Sequence, residues 1–305
     1  MKFMLFFASI SFLGNWGCNQ SDVSSNTSEK PDPVEIIPKD FATYWYAGQA
    51  EVNSYKLQQS RYGQIREGDA VMVFVAEDFS KSKQVKLDYP NQAPRDAISV
   101  LKLNQMKRFH TGIYDYSVML SAFTPIDTKS HPNTLKTTFS SQDWCGQVFS
   151  QMNLKDNGTY ELNAFSYFES EGDEAQKLKS AMLEDEIWNR IRINPETVPT
   201  GEVMLIPSMS FGRLQHQSMK PASARITFVK ETESTSDLKI EYLHLQRTVT
   251  ITFENTFPFK ILGWEEKNGN EPATVATLQK TLKSSYWGKS SNEFEILRDS
   301  LGLKF

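Results

Sequence analysis

Few residues in this chain have the type and spacing to do chemistry, and they are scattered. The four histidines, His110, His131, His216 and His244, form no HxH or HExxH pairing, and the two cysteines form no CxxC. A metal site needs several His, Cys or carboxylate ligands converging on one point, so neither a metal nor any other cofactor is expected. Cys145, in "QDWCGQVF", is a candidate nucleophile. A reactive thiol needs a base or cation to lower its pKa, and none is adjacent; the other reading is a small buried residue beside Trp144. No GxSxG elbow occurs, and "EGD" and "SFGR" are too short to cradle a phosphate. The sequence thus leans away from an enzyme. Tyr242, His244 and Gln246 alternate with Leu243 and Leu245, as a polar strand face able to hold a ligand would, although solvated strand faces share the pattern. The aromatic cluster "FATYWYAG" at 41–48 reads either as part of an apolar ligand pocket or as ordinary core filling.

Cys18 has the clearest chemistry. Lys2 precedes an apolar run from Phe3 to Leu13, too short to span a bilayer and suited to an export signal. Gly14, Asn15, Trp16 and Gly17 follow, then Cys18. The stretch resembles a bacterial lipoprotein leader, in which cleavage precedes a cysteine that becomes diacylated through a thioether. Gly17 matches that pattern at the residue before the cysteine; Asn15 and Trp16 depart from it. The alternative is a plain secretory leader with Cys18 incidental. Residues 19–38, "NQSDVSSNTSEKPDPVEIIP", hold too little apolar surface to offset chain entropy. Such a tether would span on the order of 25 Å. The expected organisation is a signal peptide over 1–17, a lipidated Cys18 with its tether over 18–40, and one globular domain over 41–305.

Composition fits that domain. The chain has 305 residues, 39% hydrophobic and 23% charged, enough for a sizeable core. Cleavage after residue 17 removes Lys2 and no acidic residue, taking the formal charge from −4 to −5. With no basic run there is no electrostatic case for nucleic acid. A Cys18–Cys145 disulfide is not expected, since one cysteine borders the tether and the other a strand-like region.

Period-two alternation dominates the elements that must position these groups. Residues 69–79 are apolar on both faces, as in a covered central strand. Residues 112–123 place Tyr114, Tyr116, Val118, Leu120 and Ala122 on one face, and Asn157-Gly158 marks a hairpin. Further strands are expected over 203–211, 223–231, 238–255 (one bent strand or two), 259–266 and 274–284. Leu178, Met182, Leu183, Ile187 and Ile191 recur at helical spacing, predicting a long amphipathic helix over 172–193. A short C-terminal helix capped by Ser291 or Asn292 carries Phe294, Leu297 and Leu301. The fold class is therefore α+β and β-rich: a large curved antiparallel sheet, half-barrel or barrel-like, with one long helix and a short C-terminal one.

The stretches "FATYWYAGQAEVNSYKLQQSRYGQIREGDAVMVFVAEDFSKSKQVK" and "WCGQVFSQMN" resemble a group of uncharacterised Bacteroidota lipoprotein-like sequences, across most of the mature chain. Members of that group often carry the label "septum formation inhibitor Maf". Maf proteins proper are nucleotide pyrophosphatases with an SxSPRR-like loop on an α/β fold. This chain has no such loop and is strand-rich, so no catalytic residue follows from the label. The leader, the tether and the absent catalytic clusters lead to a cell-envelope lipoprotein, held by its N-terminal lipid at the outer membrane, whose domain binds or scaffolds a partner protein without catalysis. The alternative is a carrier of apolar ligands such as lipid, in a curved sheet under the 172–193 helix as a lid.

Overall fold

The computed structural model describes residues 39–303; Cys18, the leader and the tether up to Pro38 lie outside them. The described chain opens with a helix α1 (Lys39–Trp45) and strands β1 (Ala50–Arg61), β2 (Gln64–Ser80), β3 (Val85–Lys86), β4 (Ala97–Thr111) and β5 (Tyr114–Pro125). Strands β6 (Lys136–Asp143), β7 (Gly146–Leu154), β8 (Thr159–Ser166), β9 (Glu174–Lys179) and β10 (Met182–Leu183) follow, then helix α2 (Glu184–Ile193). After β11 (Gly201–Ile206) and helix α3 (Met209–Leu214) come β12 (Ala222–Lys230), β13 (Thr235–Tyr242), β14 (Arg247–Glu254), β15 (Ile261–Asn268), β16 (Thr274–Ser284) and helix α4 (Ile296–Ser300).

All the strands belong to one sheet, ordered β10-β11-β12-β13-β14-β15-β16-β1-β2-β4-β5-β6-β7-β8-β9, with β3 on β2. Pairing is antiparallel except between β10 and β11. Strands β1 and β2 meet at the tight turn Tyr62-Gly63, where both residues have positive φ, as a twisted two-residue hairpin requires. The expected β-rich, curved antiparallel architecture is what the chain adopts.

Three local expectations are corrected. The helix predicted over 172–193 occupies only Glu184–Ile193, because Glu174–Lys179 pairs with β8 as an edge strand. There Leu178 is buried opposite Tyr160 while Lys177 and Lys179 face solvent, so pairing overrides the helical spacing. The helix keeps its acids in the first turn and its arginines in the last, complementing the dipole. Pro195 ends it by forcing Asn194 into extended backbone. The strand predicted over 203–211 stops at Ile206, and Ser208 caps α3 through its side chain onto the Ser210 N–H. The C-terminal Ser291 makes no side-chain cap, while the region 238–255 takes the two-strand form of its two expected arrangements, joined by a turn at 243–246.

Rather than lying as a lid, α2 is buried along nearly its whole length inside the curve of the sheet. It touches strands from both arms: Asn189 Nδ2 donates to Ala122 O on β5, while the Trp188 ring meets that of Trp264 on β15 at 5.4 Å. The outer face of β1 and β2 is covered separately by the C-terminal segment, where Leu301 packs with Val52, Val73 and Val75.

The sheet does not close. Its two edges, β9 and β10, are separated in sequence by only Ser180 and Ala181, yet β9 pairs with β8 alone and β10 with β11.

Candidate functional site

Burying α2 takes five charged side chains out of water, and a charge so placed must be paired. At its C-terminal end Arg192 meets Glu51 of β1 in a two-pronged pair, Nη1 to Oε1 at 2.6 Å and Nη2 to Oε2 at 2.7 Å. Its Nε donates to Pro258 O at 2.8 Å, and the guanidinium lies over the Phe74 ring at 4.8 Å. Asn53 and Tyr44 donate to the same carboxylate. Burial alone would raise the Glu51 carboxyl, but the Arg192 charge and these bonds outweigh it and hold it at about 2.

A second network sits at the other end. Glu184 accepts from Arg247 and from the Tyr242 hydroxyl, the latter at 2.8 Å. Arg247 also donates to Glu266 Oε2 at 3.1 Å, and Lys107 donates to Glu266 Oε1 at 2.8 Å. Burial opposes the Glu266 charge, yet Lys107 and Arg247 bring its carboxyl down to about 2. These pairs are structural: each charge is spent on a neighbour.

Asp185 breaks that pattern. It is buried, its Oδ2 accepts the Met209 N–H at 3.1 Å, and its Oδ1 has no partner among the described residues. Desolvation is the main cause that pushes its carboxyl up to about 7, and neighbouring Glu184 adds to it. Through Met209 this acid anchors the start of α3. The far end of α3 is held by Arg61, whose Nη1 donates to Leu214 O at 2.5 Å.

Where the sheet fails to close, α3 and the segment after it face the inner side of β7–β9 across a cleft of about 500 Å³. Val148, Leu162, Met209 and Met219 give it an apolar floor. Glu171, Arg213 and His216 form its polar rim. Arg213 Nη1 donates to Glu171 Oε1 at 2.9 Å, and His216 Nδ1 donates to the same oxygen at 2.7 Å. The Ser166 hydroxyl donates to Oε2 at 2.8 Å. Partial burial would raise the Glu171 carboxyl; the Ser166 and His216 hydrogen bonds and the Arg213 charge outweigh it and keep it below its usual range. Arg213 Nε is buried without a partner among the described residues. A carboxylate that orients a histidine is part of a nucleophile-activating relay. The serine that is bonded here donates to the carboxylate, however, not to the imidazole. Gly212 admits the close approach of Met219.

Sequence reasoning listed His216 as isolated, and it missed Glu171 and Arg213. No local signal marks them, since Glu171 lies more than forty residues before its partners. The other sequence candidates are dispersed. Tyr242 points inward to Glu184, whereas His244 and Gln246 are exposed in the turn between β13 and β14, so the three share no strand face. Cys145 is exposed, not buried: with Trp144 it forms the two-residue tip between β6 and β7. Its thiol is pushed up by a hydrogen bond and the charge of Asp143, the reverse of nucleophile activation. His110 pairs with Asp115 at a hairpin end, and His131 closes a turn onto Asp127 O. Among the described residues no His, Cys, Asp and Glu group could hold a metal ion, and no helix is long and apolar enough to cross a membrane.

No family model matches the sequence, and no curated protein matches it. Among solved structures the chain is similar to a beta-barrel-like protein of a domain of unknown function, DUF1849, from Brucella abortus. The TM-score is 0.44 and the identity 10%, over 77% of this chain and 96% of that one.

Proposed function

We propose that the protein is a cell-envelope lipoprotein, anchored through Cys18, whose β-rich domain binds an amphipathic ligand in the seam cleft without catalysis. The observation that carries the ligand reading is the make-up of that cleft: an apolar floor beside a polar rim, at the place where the sheet stays open. A volume of about 500 Å³ lies in the usual range of small-molecule sites. The floor suits a short acyl or other apolar chain. The Glu171–Arg213–His216 rim suits a polar headgroup, with the unpartnered Arg213 Nε as a donor in reserve. The interior is filled by α2, so a cavity under a helical lid is replaced in this reading by the open seam cleft. The anchor rests on the leader and tether read from residues 1–40.

The test of the ligand is titration of the folded domain with 11-(dansylamino)undecanoic acid. Saturable binding that Ala164→Trp abolishes, by filling the cleft, supports the reading; equal binding to both proteins, or none, overturns it. Mass spectrometry of the mature N-terminal peptide tests the anchor, which an unmodified Cys18 would exclude.

A further inference from the structure

A second recess, of about 340 Å³, lies between the end of α1, the far part of β2, β3 and the turn Tyr286–Gly288. Trp45, Tyr46 and Trp287 line it together with Glu77, Asp78 and Lys86. Trp287 is 56% exposed and Tyr46 43% exposed, and the Tyr286 ring braces Trp287 edge-on at 5.5 Å. Large aromatic rings left this open, beside carboxylates, are the feature that asks for a ligand.

The charges narrow its class. Glu77 Oε1 accepts from Lys102 Nζ at 2.7 Å and lies 3.9 Å from Lys86 Nζ, so the recess is close to neutral. Glu77 Oε2 is a buried acceptor, and Trp45 Nε1 a buried donor, without partners among the described residues. Groups of that kind are costly unless something satisfies them. An anion would meet Asp78 and two lysines already facing Glu77. An ammonium ion would suit the carboxylate and the rings, but it carries no acceptor for the indole N–H. A neutral ring bearing hydroxyls answers every feature. Its C–H face stacks on an aromatic platform, and its hydroxyls donate to carboxylate oxygens and accept from N–H groups.

We propose that this recess is a saccharide-binding site, with Trp287 and Tyr46 as the stacking platform and Glu77 and Asp78 as the hydroxyl acceptors. Reaching Trp45 Nε1 and Glu77 Oε2 requires a side-chain rotation at the wall, and Trp287 is the most exposed ring there. The site is independent of the seam cleft and of the Cys18 anchor.

The experiment is a tryptophan-fluorescence and calorimetric titration of the domain with N-acetylglucosamine tetramer, cellotetraose and maltotetraose, with tetramethylammonium as the cationic probe. The expected result is saturable binding of at least one saccharide, weakened about tenfold by Trp287→Ala, the loss of one stacking contact. Tyr46→Ala gives a second reading should Trp287→Ala disturb the fold, which circular dichroism reports. Ala164→Trp, in the seam cleft, leaves saccharide binding unchanged. Binding of tetramethylammonium in place of the saccharides, binding of none of the probes, or saccharide binding that both platform variants leave intact overturns the proposal.

Discussion

The two ends of α2 solve the problem of buried charge in opposite ways. At the Arg192 end every guanidinium nitrogen has an acceptor, and the facing Glu51 carboxylate takes bonds from three side chains. At the Asp185 end a carboxyl is buried with one oxygen unpartnered, the other accepting a backbone N–H from the helix that walls the seam cleft. The first arrangement fixes the sheet around the helix. The second leaves an unmet electrostatic cost beside the recess, where local stability yields most easily to a ligand or a proton.

The sharpest way to break the contrast is at Arg192. Arg192→Met leaves Glu51 as a buried uncompensated anion and is expected to cost about 3–5 kcal/mol in urea unfolding. Adding Glu51→Gln should recover most of that loss, since the amide keeps acceptor capacity for Tyr44 and Asn53. A double variant no more stable than the single one would mean that the pair itself, not the stranded charge, carries the energy.

Opposite pH dependences follow from the paired and the unpaired carboxyls. The carboxyls of Glu51 and Glu266, held at about 2 against an ordinary 4.5, contribute stability that is present above pH 4.5 and lost as pH falls toward 2. Asp185 is raised from 3.8 to about 7, so the folded state binds more protons than the unfolded one between those values. Its contribution is therefore least unfavourable below pH 4 and becomes fully unfavourable above pH 7. Asp185→Asn should remove that slope, stabilising the protein at pH 8 by on the order of a few kcal/mol relative to its effect at pH 4. Thermal melts across pH 4–8 check this; parallel curves for both proteins would refute it.

Smaller effects belong to the cleft rim and the hairpin tip. Glu171→Gln removes a partly exposed charge and should change stability by less than about 1 kcal/mol, while weakening binding of the dansyl fatty acid through the loosened Arg213 and His216. Unchanged affinity would take the rim out of the site. Cys145→Ser, at an exposed turn, should leave stability within about 0.5 kcal/mol and leave binding untouched; a larger change would reinstate the thiol as a functional group.

Much of the scaffold is legible without coordinates. The alternation over 112–123, the Asn157-Gly158 turn and the doubly apolar run at 69–79 each encode their own element, because side-chain period and turn chemistry are local. The stretch 172–193 misleads because Leu178 fits a helical spacing equally well. Only its partner Tyr160 on β8 makes it a strand.

The site is a different matter. Glu171 and Arg213 look like solvated charges until the chain returns to bring them together, and Arg192 and Glu51 are 141 residues apart in the chain. Composition and periodicity determine that this chain folds as a curved β-rich domain. Where the sheet stays open, which charges are spent inside it and which polar atoms remain unsatisfied at its recesses were decided by tertiary structure. Those properties depend on groups that meet only across strands distant in sequence, and a one-dimensional pattern holds no record of such meetings.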